Sequence, residues 1–228
     1  MSIMNLLDQM LQSDQGALQN AGNRANATAG GNPLGALLTG AGGGALAAGT
    51  IGVLMGSKKA RKMGGTALKY GGLAALGLVA YKAFSSWQQN NASAPLVSQP
   101  RTVDRVPALE AEFHGKAVLR AIIAAAKADG HIDDRERQLI DQSIAQLTSD
   151  QELQSWVDQE LRKPMDPAEI ATSATTPEIA AEMYLASLLM VDEENFMERA
   201  YLDELARKMN LDPSFKLELE RQARQAQL

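Results

Sequence analysis

Residues 176–189 read Thr-Pro-Glu-Ile-Ala-Ala-Glu-Met-Tyr-Leu-Ala-Ser-Leu-Leu. Thr176 offers a side-chain oxygen to the orphan N–H groups of a first helical turn. Pro177, whose ring fixes φ near the helical value, suits the position after it. Ile179, Met183, Leu185, Leu188 and Leu189 then recur at the spacing of a helix, not of a strand. The same punctuation repeats on both sides, and it sets the fold class as all-α.

Upstream, Asp166-Pro167-Ala168-Glu169 starts a short helix, and Ser149 with Glu152 forms a capping box before Leu153, Trp156, Val157 and Leu161. Asp133 with Glu136 does the same before Leu139, Ile140, Ile144 and Leu147, and Pro107 suits the first position of a helix carrying Phe113, Val118, Ile122 and Ile123. Downstream, Asn195 with Glu198 caps a helix holding Tyr201, Leu202 and Leu205, and Asp212-Pro213 starts a last one with Phe215, Leu217 and Leu219. Residues 106–228 therefore read as a bundle of about seven helices, enough chain for one small core.

Charge divides the chain. Residues 1–103 hold eight Lys/Arg and two Asp/Glu, whereas residues 104–228 hold fourteen and twenty-five, for net charges of +6 and −11. An acidic back half excludes a large basic groove, so no nucleic-acid partner is expected. With no cysteine, disulfides, thiolate metal sites and Cys nucleophiles are excluded. No cleavable secretory signal is evident.

The front half is of another kind. Ile3, Leu6, Leu7, Met10 and Leu11 recur at helical spacing, giving an amphipathic helix over residues 1–12 that either packs on a partner or lies on a membrane surface. Residues 13–33 read as a flexible linker, and residues 34–86 as a Gly-rich membrane region. Leu34–Gly56 carries no charge over 23 residues, about the length that spans a bilayer. Gly40, Gly44, Ala48, Gly52, Gly56, Ala60 and Gly64 stand four apart, on one helical face, where missing side chains let helices associate closely in lipid. A basic knot follows at Lys58, Lys59, Arg61 and Lys62, then a poorer apolar segment, Met63–Phe84, in which Lys69 and Lys82 would snorkel and Tyr70, Tyr81 and Trp87 would sit at headgroup level. The region forms either a helical hairpin or one spanning helix with an interfacial segment. Residues 87–105 read as a linker.

Two acidic turns are the candidate cation site. Asp129-Gly-His-Ile-Asp-Asp-Arg-Glu136 matches the last eight positions of an EF-hand loop, but Ala125 and Lys127 stand at its first and third positions. The simpler reading makes Gly130 the end of one helix, with Asp133 and Glu136 the capping box of the next. In the composite alternative Asp129, Asp133, Glu136, Asp192 and Glu198 converge, and oxygen-only ligands favour Ca²⁺ or Mg²⁺. His114 and His131 have no metal-ligand spacing and read as surface or partly buried residues. Walker, G-x-S-x-G, H-E-x-x-H and dinucleotide signatures are absent, and no catalytic or cofactor-binding residue is assigned.

The string Ala124-Ala-Ala-Lys-Ala-Asp-Gly-His-Ile-Asp-Asp-Arg-Glu136 resembles the signature of the TerB-like helical domain. Asn5-Leu-Leu-Asp-Gln-Met-Leu11, the glycine stripe, Gly56-Ser-Lys-Lys-Ala-Arg-Lys62 and Gly72-Leu-Ala-Ala-Leu-Gly77 together resemble the YebE-like bacterial inner-membrane proteins, which have no established biochemical role. The resemblance implies an all-helical bundle with an acidic surface, carries Asp129, Asp133 and Glu136 over to a metal- or partner-binding role in envelope stress, and departs at Val191-Asp-Glu-Glu-Asn195, which lacks the Gly and Ile.

The expected protein is thus a non-enzymatic inner-membrane protein in contact with lipid. It self-associates through its glycine stripe and offers an acidic bundle to an unknown protein partner, with Ca²⁺ or Mg²⁺ as the only cofactor candidates. The rivals are a metal-dependent hydrolase using the acidic turns and a soluble stress protein with a disordered N-terminal half. The side of the membrane that holds residues 104–228 depends on whether the chain crosses once or twice.

Overall fold

The computed structural model of the chain describes residues 3, 4, 7, 66–91, 99–128, 138, 140, 149–191 and 195–226. Among them there is no strand, and seven helices have defined bounds: α1 Thr66–Asn90, α2 Ala108–Ala126, α3 Gln151–Arg162, α4 Pro167–Ala171, α5 Pro177–Met190, α6 Phe196–Lys208 and α7 Pro213–Ala226. Ile3, Met4, Leu7, Gln138 and Ile140 are also helical. The all-α expectation holds. The glycine stripe from Gly40 to Gly64, and most of the helix expected after Asp133, lie outside the described residues.

Capping chemistry places the helix starts. The Thr176 side chain accepts from Ile179 N at 3.2 Å, and Asp166 from Ala168 N at 2.8 Å. Asp212 Oδ1 accepts from Ser214 N and Phe215 N, and the Ser214 hydroxyl helps hold its carboxyl below the usual range. Two starts differ by one residue from the sequence expectation. Asp150, not Ser149, caps α3, because one carboxylate oxygen reaches both Glu152 N (3.0 Å) and Leu153 N (3.1 Å). Pro107 is the extended N-cap of α2 and not its first helical residue.

Helix α5 is the axle: every residue from Glu178 to Leu188 is buried, as a helix apolar on all sides must be. It packs chiefly on α2 and also meets α1, α7 and α6, while α6 leans on α4. On the α3 side, Arg120 clasps Glu160 through both carboxylate oxygens at 3.1 and 2.6 Å, and Lys163 bridges Glu160 and Glu169. Lys127 Nζ donates to the carbonyls of Glu160 and Lys163, which the end of α3 leaves without helical donors.

Of the segment expected at a membrane, residues 66–84 are described and lie in a helix, and its described apolar residues point into protein. Leu73, Leu76, Val79, Ala80, Ala83 and Phe84 of α1 are buried in the same core as α2 and α5, with α7 as the main neighbour. The division of the chain at residue 87 is crossed by this packing. Helix α1 runs on through Gln88 to Asn90, and the stretch 99–106 is a strap with Thr102 and Val103 buried. Gly77 is where the strap crosses: a Cβ there would lie 2.5 Å from Asp104 Oδ1 and 2.9 Å from Val103 Cγ1. The bare backbone serves close packing inside the bundle. No described helix is long and apolar enough to cross a membrane.

Candidate binding cleft and a buried pair

Three aromatic rings from two distant parts of the chain meet where α1 ends and α7 begins. Phe215 stands 4.3 Å from Phe84 and 5.0 Å from Trp87 between ring centroids, both tilted by 42°. Such offset pairs are favoured over flat stacking by the ring quadrupoles. Trp87 Nε1 donates to Ser214 Oγ at 2.8 Å, so the indole is fixed by its polar edge. The expectation that Trp87 sits at lipid headgroups is replaced by this packing. Tyr81 likewise lies under the Arg105 guanidinium, 3.8 Å from ring centroid to charge.

These rings floor an open cleft of about 380 Å³, with Ala180 and Met209 beside them and Gln88, Thr175 and Asn210 among its polar residues. Asn210 takes φ 54°, the left-handed turn that ends α6 and redirects the chain into α7. Clefts of this size with an apolar floor and a few polar groups are the usual form of binding sites.

The strap has its own anchor on α2 and α5. His114 Nδ1 is 2.6 Å from Glu182 Oε2, and Glu182 Oε1 accepts from Val103 N, also at 2.6 Å. Both side chains are essentially inaccessible. Burial raises the Glu182 carboxyl above its usual range, against the opposing pull of His114. Next along the strap, Arg101 N donates to Glu178 Oε1, and the Arg101 guanidinium pairs with Glu110. The expectation of a surface or partly buried His114 is corrected: it is a core residue that pins the strap between α2 and α5. Both groups are inaccessible, and the contact they make is with the strap, through Val103 N.

Of the five candidate cation ligands, Asp129, Asp133, Glu136 and Asp192 lie outside the described residues, as does His131. Glu198 is described. Its Oε1 accepts from Asn195 Nδ2 at 2.9 Å while the Asn195 side chain accepts from Met197 N, a reciprocal cap as the sequence implied. Among the described residues no cluster of three His, Asp or Glu is arranged around a metal ion.

The sequence marks Trp87 as a headgroup residue and Phe215 as a helix core residue, and nothing in it joins them into a cleft. Phe215 and Trp87 are 128 positions apart and belong to segments with different composition, so only the fold brings them together.

The family described as "Protein of unknown function (DUF533)" matches residues 40–223, most of the chain and all three cleft aromatics. The chain belongs to this family. It is also 32% identical over 94 residues to an "Uncharacterized protein in ampR 5'region" of Yersinia enterocolitica, covering 41% of this chain and 68% of that protein. No solved structure matches the chain. The YebE-like resemblance thus agrees with the family found. The printed descriptions of DUF533 and of the Yersinia enterocolitica protein state no activity.

Proposed function

We propose that this DUF533 protein is a non-enzymatic interaction module held at the bacterial inner membrane, whose helical bundle takes an apolar side chain of a partner protein into the Phe84–Trp87–Phe215 cleft. The cleft carries this reading: it joins an apolar aromatic floor to a polar margin, the arrangement in which a partner's anchor residue is desolvated. The net charge of −11 over residues 104–228 favours a partner with basic residues around that anchor. Anchoring is supported by the uncharged run Leu34–Gly56, and self-association by the stripe from Gly40 to Gly64. The TerB-like string Ala124–Glu136 supports a role in envelope stress, and it leaves Ca²⁺ or Mg²⁺ at the acidic turns as a subsidiary proposal.

A photo-crosslinking residue at Thr175, on the cleft, and another at Gln151, exposed on α3, test the reading in cells expressing the full chain. A discrete adduct specific to position 175, retained in carbonate-washed membranes, is the expected result. Identical adducts from both positions refute the cleft, and release of the chain by carbonate refutes the anchor.

A further inference from the structure

Among the described residues, Asp212 is the only charged one that lines the Phe84–Trp87–Phe215 cleft, and its two carboxylate oxygens are used unequally. Oδ1 accepts from Ser214 N at 2.8 Å, from Phe215 N at 3.2 Å and from the Ser214 hydroxyl. Those three bonds complete the cap of α7. Oδ2 takes no bond from any described residue. Neighbouring cations of α6 and α7 are engaged elsewhere: Lys216 with Asp203 and Glu220, Arg221 with Glu218, and Arg207 with Glu204. The Ser214 hydroxyl leads the contacts that hold the Asp212 carboxyl below its usual range, so the group is ionised at neutral pH. The N-terminus of α7 offsets about half a unit charge, which leaves the lip of the cleft negative.

Ser214 also ties this carboxylate to the aromatic floor. Its hydroxyl donates to Asp212 Oδ1 and accepts from Trp87 Nε1 at 2.8 Å, so one oxygen atom joins the carboxylate to the indole. The indole's single donor is thereby satisfied within the protein, and Trp87 offers the cleft apolar ring. An ionised oxygen without a partner, beside three rings, matches a ligand of two parts. A hydrocarbon part covers the rings, and a cation meets the oxygen at the lip. We infer that Asp212 Oδ2 is the specificity contact of the cleft, and that the partner's segment presents an apolar residue next to a Lys or Arg, the first on the three rings and the second paired with Asp212. This rests on the cleft reading proposed above, and adds the sign and the place of the charge that the cleft selects.

The probes are two acetylated and amidated peptides, Gly-Ser-Leu-Arg-Ser-Gly and the same sequence with Gln in place of Arg. Each is titrated into the detergent-solubilised full chain carrying Trp156→Phe, in which Trp87 is the only indole, and binding is read from its emission. The Arg peptide is expected to bind at least about three-fold more tightly than the Gln peptide, with the ratio shrinking as salt is raised. Asp212→Asn keeps a capping oxygen and removes the charge, so it should return the ratio to one. Asp158→Asn, on α3, should leave the ratio unchanged, which separates a local contact from the general pull of an acidic bundle. If Asp212→Asn lowers the urea midpoint, Asp212→Ser, another capping residue, repeats the comparison under the same criteria. Equal binding of the two peptides, a preference that survives in Asp212→Asn, or one lost equally in Asp158→Asn overturns the inference while leaving an apolar anchor in the cleft. Binding of neither peptide also overturns it, and the adduct at position 175 then decides the cleft reading separately.

Discussion

Truncating Phe215 tests whether residues 66–90 belong to the bundle. The ring is 3% exposed, is wedged between Phe84 and Trp87, and is the main aromatic link from α7 to α1. Phe215→Ala loses the transfer energy of the ring and leaves a cavity, together about 3–5 kcal/mol in a well-packed core. The tilted ring pairs add about 0.5–1.5 kcal/mol each beyond burial. The cleft beside the ring allows Met209 and Trp87 to relax toward the void, so the lower end, about 3 kcal/mol, is the expected loss. With a urea slope of about 1–3 kcal/mol per molar, the midpoint falls by roughly 1–3 M. Trp156→Phe leaves Trp87 as the only indole, and its emission then reports the clasp itself. In that background Trp87 emission and far-UV dichroism should melt together, and Phe215→Ala should shift both and redden the folded-state emission. A Trp87 transition separate from the helical one, or a loss below about 1 kcal/mol, would mean that α1 is not part of this core and would refute the packing account.

Other perturbations probe the strap and the buried polar groups. Gly77→Val places atoms where Asp104 Oδ1 and Val103 Cγ1 now lie, and should destabilise by about 1–3 kcal/mol in urea melts, with partial recovery when Asp104→Ala is added. Glu182 has a folded-state pKa raised by burial, so its contribution is full below about 4.5 and is lost as pH rises through the folded value. The stability of the native chain minus that of Glu182→Gln should therefore fall as pH rises, and a difference that stays flat or grows counts against the burial reading. Arg221 pulls the Glu218 carboxyl down to about 2, so the stability this pair supplies should fade as pH drops from about 4.5 toward that value and be missing in Glu218→Gln. The Ser187 and Tyr201 hydroxyls are buried near each other without a well-formed hydrogen bond, and burial pushes the Tyr201 phenol up to about 12 against a weaker opposing pull from Ser187. Tyr201→Phe should then leave stability in urea melts unchanged or raise it by up to about 1 kcal/mol, since no well-formed bond, only the weak contact with Ser187, is lost.

Local chemistry made the helix starts legible. The caps at Asp166, Thr176, Asn195 and Asp212 act within three residues of themselves, so a single sequence displays them fully. At α3 the pattern is ambiguous by one position, because Ser149 also satisfies the box, and only the geometry shows that the Asp150 oxygen meets the amides. The destination of α1 was not legible. Its apolar and small residues satisfy the pattern of a lipid-facing helix and that of a helix buried on another helix, and the pattern does not record what the face meets. Gly77 and Gly115 illustrate this. Gly77 is off the four-residue register of the stripe, and its neighbour is the strap at Val103 and Asp104. Gly115 stands alone and suggests nothing until Met4 is seen against it. The cleft and the His114–Glu182 pair depend on separations of 128 and 68 positions, beyond the reach of any local rule.

The two contacts that cross the greatest sequence distance share a physical form, and it bears on how this protein works. In both, a segment outside the acidic half is held by that half: Ile3, Met4 and Leu7 by α2 at Gly115, and α1 by α7 at Phe215. The uncharged run Leu34–Gly56 lies between these two attachment points in sequence. If that run is the membrane element, both of its flanks return to one bundle. A single crossing would place the two flanks on opposite sides of the bilayer, where one bundle could not hold both. The intrachain seat at Gly115 therefore requires an even number of crossings or a surface-lying run. Under a single crossing, residues 3–7 and α2 stand on opposite sides, and neither their own chain nor a second copy of the same orientation could join them. A reporter after Leu228, paired with one before Met1, decides between these arrangements: the same side for both termini agrees with the packing seen here, and opposite sides would remove the Ile3–Glu112 contact from the anchored protein.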